Sequence, residues 1–111
     1  MRRIGKTPIL KESEIKSVFE NPKRISSDSF VLLYKNGNEK KVAFTVKKRN
    51  YKNIVERNKM KRILRKLFLE NESGFVEKMN YVFIANRKIL QKDIEQLKQE
   101  FFDVVKKVKQ Q

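Results

Sequence analysis

The chain of 111 residues contains no cysteine, no histidine and no tryptophan. The absence of cysteine excludes a disulfide framework and a thiolate metal site, and the absence of histidine removes the commonest zinc ligand and the commonest general base. No apolar run approaches the roughly 18–20 residues that a membrane-spanning helix needs. The basic segment 1–6 is not followed by the apolar block of about 7–15 residues that a secretory signal requires. We therefore expect a cytoplasmic protein that binds no membrane.

Acidic residues are scarce relative to basic ones. Lys and Arg number 28, Asp and Glu number 13, and the formal net charge at pH 7 is +15. Segment 47–66 alone has ten basic side chains and one acidic side chain, so more than half of the net charge lies in twenty residues. Like charges at this density repel one another unless a polyanion neutralises them. The composition therefore predicts a nucleic acid as the main partner.

The spacing of apolar residues predicts an α+β fold. Helical spacing is found in 10–19, 53–70 and 93–108, and strand patterns are found in 29–34, 41–46 and 81–85, with a short strand near Ile25. The turn signal at 36–38 predicts a hairpin between the strands on either side of it. The order αβββαβα then predicts a two-layer sandwich of helices on a small mixed sheet. We expect residues 1–111 to form one domain, with a basic arm at 1–9 and a frayed tail at 109–111.

The helix predicted over 53–70 has an apolar arc and a cationic arc. The apolar arc contains Met60, Ile63, Leu64 and Leu67, and the opposite side contains Arg57, Asn58, Lys61, Arg62 and Arg65, with Lys59 in the same stretch. Arg offers a planar fork of donors to phosphates and base edges, Lys offers a mobile charge, and Asn both donates and accepts. The pattern predicts an RNA-binding face, and a merely solvated helix face is the alternative.

These segments together resemble the protein subunit of bacterial ribonuclease P. The stretch 57–65 is similar to the RNR motif of that family, with Lys59 where a third Arg is common. Segments similar to the family's strands are 24–27 with 30–34, 44–46 before a Lys pair, and 81–85 with Arg87. The resemblance spans about residues 10–105. It departs at 49–56, which lacks the usual Gly and is longer by about one residue, and at Ile15, where the family commonly has an aromatic side chain.

The resemblance implies that a large catalytic RNA and this protein together cleave precursor tRNA to leave a mature 5′ end. The hydrolysis and its Mg²⁺ ions then belong chiefly to the RNA. We accordingly expect no catalytic side chain and no metal site in the protein, and no activity of the protein alone. The expected partners are the catalytic ribonuclease P RNA and precursor tRNA, and the protein itself is expected to be monomeric.

Two other functions compete with this interpretation. A structural, ribosomal-type RNA-binding protein without a nuclease role is the alternative, because that class also contains small basic α+β chains. A DNA-binding regulator is disfavoured, because no partner helix precedes segment 57–69 as a helix-turn-helix motif requires.

By similarity, the face of segment 57–65 binds the catalytic RNA, and a cleft between the first helix and the sheet holds the single-stranded 5′ leader. Phosphate contacts are expected from Lys47, Lys48 and Arg49. Aromatic side chains beside cations hold single strands by stacking, so the leader-binding candidates are Phe19, Phe30 and Tyr34. Core packing is the alternative for Phe19 and Phe30, and for Tyr34 packing or a solvent-facing position is favoured. Four further phenylalanines are expected in the core: Phe44, Phe83, Phe101 and Phe102.

Overall fold

Within residues 2–50 and 52–110, which the computed structural model describes, the chain forms six strands and three α-helices. In chain order they are β1 (Arg3–Ile4), β2 (Thr7–Pro8), α1 (Glu12–Val18), β3 (Lys23–Ser26), β4 (Phe30–Asn36), β5 (Lys41–Val46), α2 (Ile54–Glu70), β6 (Met79–Ala85) and α3 (Ile94–Lys109). Single 3-10 turns cover Lys48–Asn50, Glu72–Gly74 and Arg87–Leu90. The predicted α+β class and the order αβββαβα of the larger elements are confirmed.

The main sheet has the strand order β3-β4-β6-β5, in which β5 and β6 are parallel and the other neighbours are antiparallel. The predicted hairpin between β4 and β5 is therefore wrong, because β6 lies between them. Parallel strands need a long crossover, and α2 provides it between β5 and β6. The Gly37 N–H donates to the Lys78 carbonyl (2.9 Å), and a Cβ on Gly37 would lie 2.7 Å from Asn80 Oδ1. Because Gly37 has no side chain, the start of β6 can pass close to its backbone.

One face of the sheet, called the sealed face below, is covered by α2 and α3. Paired residues form rows across it, including the row Ile25, Leu32, Phe83 and Phe44. The helices cover these rows with Met60, Leu64, Leu67 and Phe68 from α2 and with Leu97, Phe101, Val104, Val105 and Val108 from α3, all of them buried. The Phe101 ring lies 5.2 Å from Phe83 and 5.4 Å from Phe30, measured between centroids. The largest side chains of the core therefore lie on this side.

The opposite face, called the open face, is covered only in part by α1. Val18 of α1 is buried in a separate cluster with Leu33, Val82 and Ala43. The two-layer arrangement predicted from sequence thus describes the sheet with α2 and α3, and α1 adds a partial layer on the other side. None of the helices in the described residues is long and apolar enough to cross a bilayer.

The N-terminal segment predicted as a basic arm is folded against the rest of the chain. β1 and β2 form a small hairpin around Gly5, whose φ of +61° favours glycine. Thr7 is buried and its hydroxyl donates to Glu72, while the Leu10 N–H donates to the Val42 carbonyl at the edge of β5 (3.0 Å). At the other end, α3 continues through Lys109. Met1 of the predicted arm and Gln111 of the predicted tail lie outside the described residues.

Candidate nucleic-acid interface

The open face carries two rows that contain apolar side chains, beside a polar row of Lys35, Asn80 and Lys41, and α1 covers one of the two apolar rows. The first row is Arg24, Leu33, Val82 and Ala43, and the second row is Ser26, Val31, Ile84 and Thr45. The rows lie about 7 Å apart along the strands. The seven residues of α1 form a helix only about 10 Å long. The three apolar residues of the first row are buried beneath it, whereas the second row stays half-buried or exposed.

The uncovered row forms the floor of a cleft of about 740 Å³. The residues that line the cleft are Phe19, Arg24, Val31, Leu33, Thr45, Val46, Lys47, Lys48, Arg49 and Ile84. The Lys47 N–H donates to the Ala85 carbonyl (3.0 Å), so the cationic segment leaves β5 at the rim. An aliphatic floor beside four basic side chains can hold a strand whose bases face the sheet and whose phosphates face the rim.

Polar contacts at both ends hold α1 in place as the wall of the cleft. At its start, the Lys41 ammonium lies 2.6 Å from Glu14 Oε2. This hydrogen bond lowers the pKa of the Glu14 carboxyl below its ordinary value. At its end, Lys35 Nζ donates to the carbonyls of Ser17 (3.2 Å) and Glu20 (3.0 Å). Both lysines come from the sheet, so the position of α1 depends on β4 and β5.

Of the three aromatic residues predicted to bind the leader, only Phe19 lines the cleft. It lies just after α1 and is 49% exposed. The assignments of Phe30 and Tyr34 are wrong, because these side chains are 0% and 1% exposed in the core of the sealed face. Successive side chains of a strand point to opposite faces, so Phe30, Leu32 and Tyr34 lie together on one face and Val31 and Leu33 on the other.

The structure also shows where the four phenylalanines that were expected in the core lie. Phe83 and Phe101 are fully buried, and the partly buried Phe44 stacks on Phe83 with 5.6 Å between the ring centroids. Phe102 is 48% exposed on α3, with Lys106 Nζ 4.9 Å from its ring centroid, so its assignment to the core is wrong. Helical spacing places Phe102 one residue out of the apolar stripe that contains Phe101, Val104 and Val105.

The floor of the cleft is the part of the site that the sequence interpretation missed. The residues concerned are Arg24, Val31, Leu33, Thr45 and Ile84. β4 is apolar on both faces, so its own pattern could not separate the core side from the cleft side. A signal exists in β5, where Ala43 and Thr45 are smaller or more polar than Val42, Phe44 and Val46. Cross-strand pairing with Thr45 would have identified Ile84 and then Val31.

The predicted RNA-binding residues of α2 lie together on the outside of the helix. Those that are exposed are Asn58, Lys59, Arg62 and Arg65, and Arg57 and Lys61 are half-buried. We call these six residues the basic face. The helix begins at Asn53, whose side chain accepts the Glu56 N–H (3.1 Å). Arg87, beyond β6, pairs with Glu56 at 3.0 Å and so joins the first turn of α2 to the end of the sheet.

The cleft and the basic face are two separate cationic surfaces. Of the described residues that line the cleft, none belongs to α2, and Lys47, Lys48 and Arg49 line the cleft without being part of the basic face. Lys48 and Arg49 are exposed within a 3-10 turn. Tyr51, which lies between this turn and α2, is outside the described residues. The arrangement presents two cationic surfaces, each of which can contact phosphates.

A partly buried polar network ties the turn between β3 and β4 to α3. The Glu100 carboxylate accepts hydrogen bonds from the hydroxyls of Ser27 (2.5 Å) and Ser29 (2.8 Å) and lies 2.8 Å from the Lys92 ammonium. Burial by itself would raise the pKa of Glu100, but Lys92 and the two serines together outweigh it and lower the pKa. The network holds the turn at one end of the cleft in a defined position.

Carboxylates do not form a metal centre in the part of the chain that the structure describes. No group of three or more acidic side chains there has an arrangement that could hold an ion. Near the two cationic surfaces, Glu56 is paired with Arg87, and Asp28 is paired with Lys88 (3.0 Å) and Lys92 (2.8 Å). These residues do not fit a divalent-metal site.

The sequence is similar to known proteins over almost its whole length. The family model described as ribonuclease P matches residues 5–109. The ribonuclease P protein component of Caldanaerobacter subterraneus subsp. tengcongensis is 31% identical over 103 residues, which cover 91% of this chain and 88% of that protein. The match extends over the cleft, the basic face and α3 alike.

Solved structures share the fold. The RNase P protein of Thermotoga maritima aligns with a TM-score of 0.76 at 20% identity, covering 89% of this chain and 96% of that one. The RNase P protein of Staphylococcus aureus aligns with a TM-score of 0.73 at 22% identity, covering 89% and 92%. The matches agree with the ribonuclease P interpretation and not with a ribosomal-type structural protein. The chain belongs to the ribonuclease P protein family.

Proposed function

We propose that this protein binds the catalytic RNA of ribonuclease P through the basic face and binds the 5′ leader of precursor tRNA in the cleft, and thereby promotes cleavage at the mature 5′ end. As a ribonuclease P protein it is one component of an endoribonuclease and the partner of an RNA. The observation that carries the proposal is the uncovered row of the open face, an aliphatic floor with a cationic rim.

The basic face is suited to a folded RNA. Its side chains recur at helical spacing about 5–6 Å apart, so they can contact several phosphates at once. The helix itself is held by its buried apolar side, so the cations need no rearrangement of the backbone to bind. Arginine forks such as those of Arg62 and Arg65 can also stack on unpaired bases.

The cleft is suited to an unpaired strand. Its aliphatic floor offers no partners to the backbone of a duplex, whereas single bases can pack on Val31 and Ile84 and stack on the exposed ring of Phe19. The basic groups of Lys47, Lys48 and Arg49 would then neutralise the phosphates of the same strand. Mature tRNA lacks this segment, so the cleft distinguishes the precursor from the product.

The chemistry of cleavage is assigned to the RNA partner. We propose that Mg²⁺ is held chiefly by that RNA, that the protein alone does not cleave, and that the free protein is a monomer. The protein then contributes binding energy and the orientation of the precursor, not a reacting group. Sedimentation of the free protein tests the monomer, and incubation of the protein with precursor tRNA in Mg²⁺ tests its inactivity.

The decisive experiment measures cleavage of precursor tRNA at low Mg²⁺ by the ribonuclease P RNA from the same source, with and without the protein. We expect the protein to stimulate cleavage at the mature 5′ end. Tight binding to RNA without stimulation would contradict the proposal and favour a purely structural RNA-binding role.

A matched pair of variants tests the leader cleft itself. Phe19→Ala removes the ring in the cleft, and Phe102→Ala removes a ring on α3 that is almost equally exposed. A stacked base contributes about 1–3 kcal/mol, so Phe19→Ala should weaken holoenzyme binding to precursor tRNA by about 5-fold to 150-fold. Binding to mature tRNA should not change. Equal losses for both variants would place the leader elsewhere.

A further inference from the structure

The first turn of α2 exposes two aliphatic side chains, Ile54 and Val55, which we call the aliphatic pair. Ile54 is 59% exposed and Val55 is 79% exposed, the largest values for large apolar side chains among the described residues. Ile and Val are weaker helix formers than Ala, and neither side chain gains much from burial here. The pair therefore contributes little to the stability of the free protein and is available to a partner.

The aliphatic pair adjoins the basic face. Side chains three and four residues apart on a helix are neighbours, with about 5–6 Å between their Cβ atoms. Arg57 and Asn58 are therefore the neighbours of Ile54, and Asn58 and Lys59 are the neighbours of Val55. The apolar surface is thus continuous with the surface to which the proposed function assigns the catalytic RNA.

Asn58 is the one uncharged member of the basic face, and it neighbours both residues of the aliphatic pair. Its side chain is exposed. A neutral amide adds little to the attraction of phosphates, whereas it can both donate to and accept from the edge of a base. The amide and the aliphatic pair together therefore offer a nucleobase an apolar surface for its ring and hydrogen bonds for its edge.

Hydrogen bonds at the start of α2 hold the aliphatic pair in place. The Asn53 side chain accepts the Glu56 N–H (3.1 Å), and the Asn53 carbonyl accepts the Arg57 N–H (2.9 Å). The Glu56 carboxylate accepts from Asn53 Nδ2 (2.8 Å) and pairs with Arg87 (3.0 Å), which compensates the acidic charge of the first turn. A surface that is already ordered binds without the cost of ordering it.

We propose that an unpaired nucleobase of the catalytic RNA packs on Ile54 and Val55 and hydrogen-bonds through its edge to Asn58. This inference rests on the proposed function of the basic face and adds a contact with a base to the contacts with phosphates. Bases inside a duplex are stacked on both sides, so the contact selects a loop, a bulge or a strand end. α2 thereby recognises one position of the RNA as well as its charge.

The test measures binding of the full-length protein to the ribonuclease P RNA from the same source over a series of salt concentrations. Ile54→Thr with Val55→Thr makes the aliphatic pair polar and keeps both side chains branched. Ile94→Thr with Val76→Thr is the matched control, because both residues are exposed and Ile94 begins α3 as Ile54 begins α2. Thermal melting checks folding, and Ile54→Ala with Val55→Ala, which favours the helix, provides a second version of the loss.

Removing one buried methyl group corresponds to about fourfold in affinity, so Ile54→Thr with Val55→Thr should weaken binding to the catalytic RNA by about 15-fold. No charge changes in this variant, so the log–log salt dependence should remain as steep as that of the native protein. Ile94→Thr with Val76→Thr should bind like the native protein at every salt concentration.

Changes in the RNA identify the base. Abasic replacements are made one at a time at the unpaired nucleotides of the catalytic RNA. One of them should weaken binding of the native protein and should not weaken binding of the Ile54→Thr, Val55→Thr variant any further, because the contact is already lost. Exchanging the base at that position should change the affinity of the native protein but not that of Asn58→Ala.

The outcomes separate this inference from the function on which it rests. If Arg62→Ala with Arg65→Ala flattens the salt dependence but Ile54→Thr with Val55→Thr binds like its control, the basic face binds RNA without this base and the inference is overturned. A loss that is coupled to no abasic position would also overturn it, because the pair would then contact something other than a base. If the arginine variant leaves binding unchanged as well, the proposed function of the basic face fails.

Discussion

The two faces of the sheet are built from the same strands and differ in how far the helices cover them. On the sealed face, α2 and α3 are 17 and 16 residues long and bury every apolar row. On the open face, α1 has seven residues and buries a single row. β4 serves both faces, with Leu32 in the core and Val31 on the floor of the cleft. The number of helices that cover a face, and where they lie on it, thus separates a stabilising surface from a binding surface.

The comparison also explains where the aromatic side chains lie. Large rings contribute most when they are removed from water completely, and the sealed face contains Phe30, Phe83 and Phe101 in mutual contact. The floor of the cleft has the smaller Val31 and Ile84, which leave room for a ligand. Replacing residues on each face separately is the direct way to test this division.

The largest expected effect is on the stability of the sealed face. Phe30→Ala should lower the free energy of unfolding by about 3–5 kcal/mol, because it leaves a cavity in place of a fully buried ring. Phe19→Ala, on the rim of the open face, should lower it by less than about 1 kcal/mol. Urea unfolding of both variants measures the difference. Similar losses would show that the rim of the cleft is part of the core.

The second effect concerns the partly buried carboxylate of Glu100. Its folded-state pKa is lowered, so its contribution to stability is present above the ordinary carboxyl pKa and is lost as pH falls through the folded value. Glu100→Gln cannot titrate and should be less stable by about 1–3 kcal/mol at pH 7. The gap between the variant and the native protein should narrow as the pH falls below about 4.5. Denaturation across pH measures it, and a constant gap would contradict the role of the charge.

The third effect separates the basic face from the remaining positive charge of the protein. Arg62→Ala with Arg65→Ala removes two charges from α2, and Lys107→Ala with Lys109→Ala removes two exposed charges from α3. If each arginine neutralises one phosphate, the first pair should flatten the log–log salt dependence of binding to the catalytic RNA by about 1.4–1.8 units. The second pair should leave that slope nearly unchanged. Equal changes in slope would mean that net charge, and not the basic face, governs binding.

The smallest effect is at the contact that holds α1. Glu14→Gln removes the ion pair with Lys41, which is partly exposed and should contribute at most about 1 kcal/mol to stability. The same variant removes the contact that holds the start of α1, the wall of the cleft, against β5. Leader-dependent binding should therefore weaken by a small factor while binding of mature tRNA stays constant. Parallel titrations with the two RNAs measure this, and a loss on both would assign Glu14 to overall folding alone.

Most elements of the fold were predictable because their apolar spacing is regular. The predicted 41–46 strand matches β5, and the predicted helices 53–70 and 93–108 differ from α2 and α3 by at most one residue at each end. The strand order was not predictable from local signals. Asn36-Gly37-Asn38 indicated a hairpin between β4 and β5. Instead β4 pairs with β6, and the paired residues Asn36 and Met79 are 43 positions apart in the chain.

The candidate site was likewise predictable only in part from the sequence. Five members of the basic face followed from helical projection alone, and Lys59 followed from the RNR-like stretch in which it lies. The family likeness predicted from sequence is confirmed by the match over residues 5–109. The cleft floor was missed and two aromatic residues were misplaced, because the face on which a β4 side chain lies depends on partners in β3, β5 and β6.

Sequence by itself determined the class of partner, the helices and strands, and the outer face of α2, because charge density and periodicity are local properties of a chain. Tertiary structure alone decided which row of the sheet remains uncovered, because that depends on cross-strand register and on the position of a short helix. The cleft exists because α1 lies across the strands over one apolar row, from Lys41 of β5 to Lys35 of β4, and leaves the next row uncovered, and no local pattern in the chain records that placement.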